Sequence, residues 1–124
     1  MSPQQIAEHV RDEMRADDHA TRWLGITIAA VGPGSCTAEL SVRKEMLNGH
    51  ALAHGGLITT LADTAFAYAC NAYNELTVAS GFDMNLLASA RLGDVLTAQA
   101  REVSRSGRTG VYDIEIHNQH GERV

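Results

Sequence analysis

The sequence predicts an α+β fold in which one long helix lies against an antiparallel sheet, and three observations carry that prediction. From about Gly55 to Asn74, apolar residues recur at helical spacing. Four other stretches alternate with a period of two: Cys36 to Val42, Val78 to Leu86, Leu96 to Ala100 and Tyr112 to Ile116. Gly32-Pro33-Gly34, Gly93-Asp94 and Ser106-Gly107-Arg108 supply turns between segments. Strands joined this closely pair as a meander, and a helix covering such a sheet makes a two-layer architecture.

Each element has its own signal. Ser2 before Pro3 reads as an N-cap with proline at the first helical position, and Ile6, Val10 and Met14 follow at four-residue spacing, so a short amphipathic helix opens the chain. Trp23, Leu24, Ile26 and Ile28 predict a first strand that stops at Gly32-Pro33-Gly34. In the next strand Cys36, Ala38, Leu40 and Val42 alternate with Thr37, Glu39 and Ser41, so one face is buried and one is wet. On the long helix Leu57, Ile58, Leu61, Ala65, Tyr68, Ala69 and Ala72 share one side. The opposite side collects Thr59, Thr60, Asp63, Phe66, Ala67, Cys70 and Asn74, where a solvated face would carry several Lys and Glu. Both sides are expected to be covered.

At 124 residues the chain is expected to form a single domain over residues 1–124. Hydrophobic residues make up 44% and charged residues 20%, which places it among globular proteins rather than disordered or fibrous ones. A net charge of −5 without a basic stripe argues against nucleic acid as a partner. No apolar stretch has the length of a membrane span, and Met1 to Met14 are not signal-like. Cys36 and Cys70 match no ligand spacing and read as reduced thiols of a cytoplasmic protein.

Asp63 is the residue that needs explaining, because a carboxylate in an apolar helix is costly unless paired or used. It could simply bond Thr59, Thr60 or the backbone of a second chain. Three features favour chemistry instead. His54-Gly55-Gly56 marks the helix start, where unpaired N–H groups and the helix dipole stabilise a polarised carbonyl or oxyanion, although Gly-Gly is often only a turn device. Asn48, seven residues before Gly55, can orient a carbonyl or water, while Asn48-Gly49 is commonly a tight turn. His54 can donate a hydrogen bond or hold the loop. His50 and His54 lack a third metal ligand, and nothing near Cys70 would stabilise a thiolate, so neither a metal site nor a Cys-His pair is expected.

Asp63 stands about 12 Å along the helix from Gly55 at the standard rise per residue, too far for both to serve one carbonyl. A second, antiparallel copy of the helix would bring Gly55 of one chain to Asp63 of the other and create two equivalent sites. A homodimer with composite sites is therefore expected.

Met46-Leu47-Asn48-Gly49-His50, His54-Gly55-Gly56 and the run Leu61 to Cys70 resemble the hot-dog-fold thioesterases of the phenylacetate degradation (PaaI) type. The likeness extends through Val78-Ala79-Ser80, Gly93 to Ala98 and Thr109 to Ile116. It implies a long central helix wrapped by an antiparallel sheet, dimers joined sheet edge to sheet edge, and their pairing into a homotetramer. It implies hydrolysis of a small, phenylacetyl-type acyl-CoA, with no cofactor because coenzyme A belongs to the substrate. Asp63 would be general base or nucleophile, the Gly55 N–H would polarise the thioester carbonyl, and Asn48 and His54 would complete the pocket. Phe66 and Ala67 are expected to line the acyl pocket, and Arg108, with Arg91 and Arg105 as alternatives, to meet the phosphates of coenzyme A. A hot-dog hydroxyacyl-thioester dehydratase and a non-catalytic acyl-CoA-binding module are the alternatives. The family continues past the turn near Gly121 into one further strand, so a chain stopping at Val124 is expected to be truncated or partly observed and to leave a sheet edge exposed.

Overall fold

The structure, a computed structural model, describes residues 1–124. Helix α1 spans Pro3–Asp17, α2 His19–Leu24 and α3 Gly55–Cys70; strands β1 Thr27–Gly32, β2 Ser35–Ser41, β3 Val95–Ser106 and β4 Thr109–His117 form one antiparallel sheet in the order β1-β2-β3-β4. The predicted α+β layering is observed, with α3 lying across β2, β3 and β4.

Helix α1 begins at the expected cap. The Ser2 hydroxyl accepts from Gln5 N–H at 3.1 Å and the Gln5 side chain accepts from Ser2 N–H at 2.8 Å, a reciprocal pair at a helix start. Helix α2 replaces the beginning of the expected first strand. Asp18 caps it by accepting from Thr21 N–H at 3.3 Å, and Gly25 closes it in the left-handed region at φ 79°. Trp23 and Leu24 are thus helical, and the strand starts only at Thr27.

Inward residues of the sheet alternate as the sequence indicates. Cys36, Ala38 and Leu40 of β2 and Leu96, Ala98 and Ala100 of β3 are buried against Ile58, Leu61, Ala65, Tyr68 and Ala69 of α3. Tyr68 is 2% exposed and its hydroxyl donates to Asp18 at 3.0 Å, the same carboxylate that receives the Thr21 hydroxyl at 2.6 Å. Helix α3 is thereby tied to the α1–α2 corner through one acceptor.

Two further expectations fail. Val78 to Leu86 is not a strand: residues 78–86 make no backbone–backbone hydrogen bond, and Val78 and Phe82 are 79% and 68% exposed. A strand needs a neighbour to take its N–H and C=O groups, and this segment has one only at its end, where Leu87 N–H donates to the Val124 carbonyl at 2.8 Å. Val124 N–H in turn donates to the Ile116 carbonyl of β4 at 2.8 Å, so Val124 bridges β4 and Leu87. Helix α3 also stops at Cys70, short of Asn74. Asn71 caps its end and clasps the next segment, donating to the Thr77 carbonyl at 3.0 Å and accepting from Thr77 N–H at 2.9 Å.

Candidate active site

The loop before α3 is shaped by one side chain. Asn48 Oδ1 accepts from the N–H groups of His50 at 2.9 Å and Leu52 at 3.2 Å, and Ala51 turns the chain at φ 59°. Asn48-Gly49 is therefore the tight turn that dipeptide usually forms, and the Asn48 NH2 group has no protein acceptor. His54 N–H and Ala53 N–H tie the loop to the Met46 and Ala90 carbonyls, each at 2.8 Å.

His54 is the N-cap of α3. Its Nδ1 accepts from Gly56 N–H at 3.2 Å, which leaves the proton of the neutral ring on Nε2, available to donate. The carbonyl of His54 receives the N–H groups of Leu57 and Ile58, but Gly55 N–H has no acceptor in the chain. A single free N–H thus points out of the start of a 16-residue helix, where the dipole favours negative charge. Leu86 presses on this glycine: a Cβ there would lie 2.8 Å from Leu86 Cδ1. Asn48, Leu52, Gly55, Ile58 and Leu86 line one groove of about 320 Å³, so the structure brings Asn48, His54 and Gly55 together.

Asp63 is not in that groove. It is exposed on α3, and the hydroxyls that could have satisfied it are used elsewhere: Thr59 donates to the Gly55 carbonyl at 2.8 Å, Thr60 to Gly56 at 2.9 Å and Thr64 to Thr60 at 2.8 Å. The expectation that this face is covered is corrected for the single chain. The reason is the spacing already noted, since no other element of the chain crosses the stripe Gly56, Thr60, Asp63 and Ala67.

A free amide at a helix start, an amide side chain beside it and an unpartnered carboxylate farther along form the kind of donor and base set that thioester hydrolysis uses. Comparison with known proteins decides the family: residues 50–124, which include His54, Gly55 and Asp63, match the family model of the thioesterase superfamily. The chain belongs to the thioesterase superfamily. It is 43% identical over 111 residues to the acyl-coenzyme A thioesterase PaaI of Escherichia coli K12, covering 90% of this chain and 79% of that protein. The structure of an E. coli PaaI protein from the phenylacetic acid degradation operon superposes with a TM-score of 0.98 at 41% identity, covering 99% of this chain and 89% of that one. A hypothetical thioesterase from Streptococcus pneumoniae TIGR4, solved with coenzyme A, is 31% identical with a TM-score of 0.75, covering 80% of this chain and 77% of that one. The hot-dog fold expected from the sequence is thereby shown.

In this thioesterase-superfamily chain, Phe66 and Ala67 are half-buried one turn beyond Asp63. Arg108 lies exposed in the turn between β3 and β4. Arg105 is engaged already, stacked 3.8 Å over the Tyr73 ring and paired with Glu75 at 3.3 Å. Tyr68 belongs to the core, as its place on the apolar side of the helix predicts. No group of three or more His, Cys, Asp or Glu side chains converges as a metal site, and no helix is long and apolar enough to cross a membrane. Sequence reasoning did not single out the cluster in which Glu102 Oε1 accepts from the Tyr73 and Tyr112 hydroxyls. The Glu102–Tyr112 pairing had only a positional signal: the buried alternation of Leu96, Ala98 and Ala100 ends before the exposed Glu102, and Tyr112 is its cross-strand partner.

Proposed function

We propose that the chain is an acyl-CoA thioesterase that hydrolyses a small acyl thioester to free acid and coenzyme A at two composite sites of a homodimer. The observation that carries this reading is the unsatisfied pair on α3: a Gly55 N–H without an acceptor and an Asp63 carboxylate without a donor. An antiparallel second copy of α3 completes both, each chain supplying what the other lacks. The stripe Gly56, Thr60, Asp63 and Ala67 is free of bulky side chains, so two helices can approach closely along it. The segment 78–86, which makes no backbone–backbone hydrogen bond and exposes Val78, Phe82 and Leu86, is open to pairing in the same association, and a pairing of dimers into a tetramer follows the PaaI-type pattern.

In this site the thioester oxygen sits on Gly55 N–H, with the Asn48 NH2 group beside it, and the helix dipole lowers the energy of the oxyanion. Asp63 of the second subunit takes a proton from water, whose oxygen attacks the acyl carbon. The carbon–sulfur bond breaks, the carboxylic acid is released, and the coenzyme A thiolate takes up the proton held by Asp63, which returns to carboxylate. His54 keeps the helix start rigid through Nδ1 and offers Nε2–H at the rim. Phe66 and Ala67 line the acyl side, and Arg108 receives a phosphate of coenzyme A.

Thiol release from a panel of acyl-CoA esters tests the reading. Wild type should release thiol, and Asp63→Asn, which keeps the shape and removes the charge, should lower kcat by about a hundredfold or more with an unchanged circular dichroism spectrum. A folded Asp63→Asn protein that turns over like wild type would exclude Asp63 as the base. Binding of acyl-CoA without any thiol release would point to a sensor, and water loss from a hydroxyacyl-CoA to a dehydratase.

A further inference from the structure

Two loops of the chain are built to one plan. Asn48-Gly49-His50-Ala51-Leu52 lies inside the isolated pairing of Leu47 with Ala53, and Asn118-Gln119-His120-Gly121-Glu122 inside that of His117 with Arg123. In each, the asparagine Oδ1 accepts from two following N–H groups: His50 at 2.9 Å and Leu52 at 3.2 Å in the first, His120 at 2.9 Å and Glu122 at 3.0 Å in the second. The asparagine N–H donates to the carbonyl of Leu52 at 2.7 Å or of Glu122 at 3.0 Å, and the asparagine carbonyl accepts from Ala51 N–H at 3.1 Å or Gly121 N–H at 3.0 Å. Ala51 and Gly121 turn the chain at matching places in the left-handed region, at φ 59° and φ 79°. Each asparagine is half-buried, and the residue after it is exposed with an N–H that has no acceptor in the chain.

The loops differ at that following residue. Gly49 stands where the second loop has Gln119, and the fold makes no demand for glycine there: its φ lies outside the left-handed region and a Cβ would meet nothing within 4 Å. What glycine changes is access to its own nitrogen, which no side chain shields. No other asparagine of the chain precedes glycine. Attack by that nitrogen on Asn48 Cγ would place negative charge on Oδ1, where the His50 and Leu52 N–H groups are already aimed.

We propose that Asn48 is a self-modification site, at which the chain converts its own asparagine to aspartate or isoaspartate with water as the co-reactant. The Gly49 nitrogen gives its proton to solvent and bonds to Asn48 Cγ. The bond from Cγ to Nδ2 breaks, and ammonia leaves with a proton taken from solvent. Water then opens the cyclic imide at either carbonyl, with no oxidation or reduction. A neutral amide thereby becomes a carboxylate in the groove that Asn48 shares with Gly55. Under the thioesterase reading, a donor to the thioester oxygen is replaced by negative charge, and the modification switches the site off.

Peptide mass analysis of the wild-type chain, aged in mildly alkaline buffer, reads a gain of about one dalton at each modified asparagine. Asn48 should gain it at least about tenfold faster than Asn118, because the side chain of Gln119 crowds the same attack. Gly49→Gln should bring Asn48 down to the rate of Asn118, and Gln119→Gly should raise Asn118 toward the rate of Asn48; either variant reads the swap if the other folds poorly. The folded chain should react at Asn48 at least as fast as the chain in urea, because only the loop sets the two donors on Oδ1. Equal rates at the two asparagines, rates that ignore the swap, or a folded chain slower than the unfolded one would overturn the site. Thiol release from the acyl-CoA panel should fall in step with the mass gain. A mass gain that leaves thiol release intact would overturn the switch and remove Asn48 from the reaction, whereas a fresh wild-type chain that releases no thiol would end the thioesterase reading and leave the modification standing on its masses.

Discussion

The Gly55 amide can be deleted almost by itself, because its position is one where proline fits. Proline is tolerated at the first residue of a helix, where the missing N–H has no intrahelical partner in any case. Here that N–H is free, and His54 before it has φ −64° and ψ 128°, the extended conformation that a residue preceding proline prefers. The steric charge against Gly55→Pro is a Cβ 2.8 Å from Leu86 Cδ1, and Leu86 is 52% exposed and free to turn aside. Gly55→Ala introduces the same Cβ and keeps the N–H. Loss of one oxyanion donor lowers kcat by about a hundredfold or more, about 3 kcal/mol, so thiol release should fall by that factor for proline relative to alanine. Mixing Gly55→Pro subunits with Asp63→Asn subunits under conditions that exchange protomers should then restore about a quarter of wild-type activity, since half the random pairs are mixed and each mixed pair holds one intact site. Equal losses in the alanine and proline variants would mean that the effect is steric. A mixture no more active than its parents would place both groups of each site in one chain.

Two further outcomes concern stability. Tyr68→Phe removes the donor to Asp18 but leaves Thr21 on the same carboxylate, so urea unfolding should show a loss of about 1–2 kcal/mol with an unchanged m-value. Burial raises the Cys36 thiol from its ordinary 9.0 to about 12 in a residue only 3% exposed; the folded state holds this proton more tightly than the unfolded chain. Its contribution, at most about 4 kcal/mol, is complete below pH 9 and lost as pH rises toward 12, so denaturant midpoints of Cys36→Ala should fall less steeply across that range than those of wild type.

The buried side of α3 was legible in the sequence because its reason is local: a 3.6-residue period needs no knowledge of what it packs against. The inward faces of β2 and β3 were legible likewise. Helix α2 was not, since Trp23, Leu24, Ile26 and Ile28 are all good strand formers and outweighed the short-range signals of Asp18 as a cap and Gly25 as a stop. His54 as a helix cap was hidden for another reason: the usual capping residues are Ser, Thr, Asp and Asn, and the imidazole reaches Gly56 N–H only in the conformation that the loop imposes. Glu102 and Tyr112 carried a pattern signal without a chemical one, because cross-strand partnership depends on the β3–β4 register, including the irregularity that follows Glu102.

Two of the readings that failed in the single chain point to the same physical cause. The alternation from Val78 to Leu86 and the uncharged surroundings of Asp63 both describe surfaces that expect a covering, and neither has one within residues 1–124. Leu76, Val78, Phe82, Leu86 and Leu87 expose apolar surface beside a backbone with few partners, an arrangement that invites pairing with another strand. Sequence patterning records burial in the working assembly, whereas hydrogen bonds within one chain record only what that chain can satisfy alone. The difference between the two is therefore informative about association. It falls on the helix face that bears Asp63 and on the segment that presses Leu86 against Gly55, so the surfaces left uncovered in the single chain are those that the proposed reaction centre uses for its chemistry.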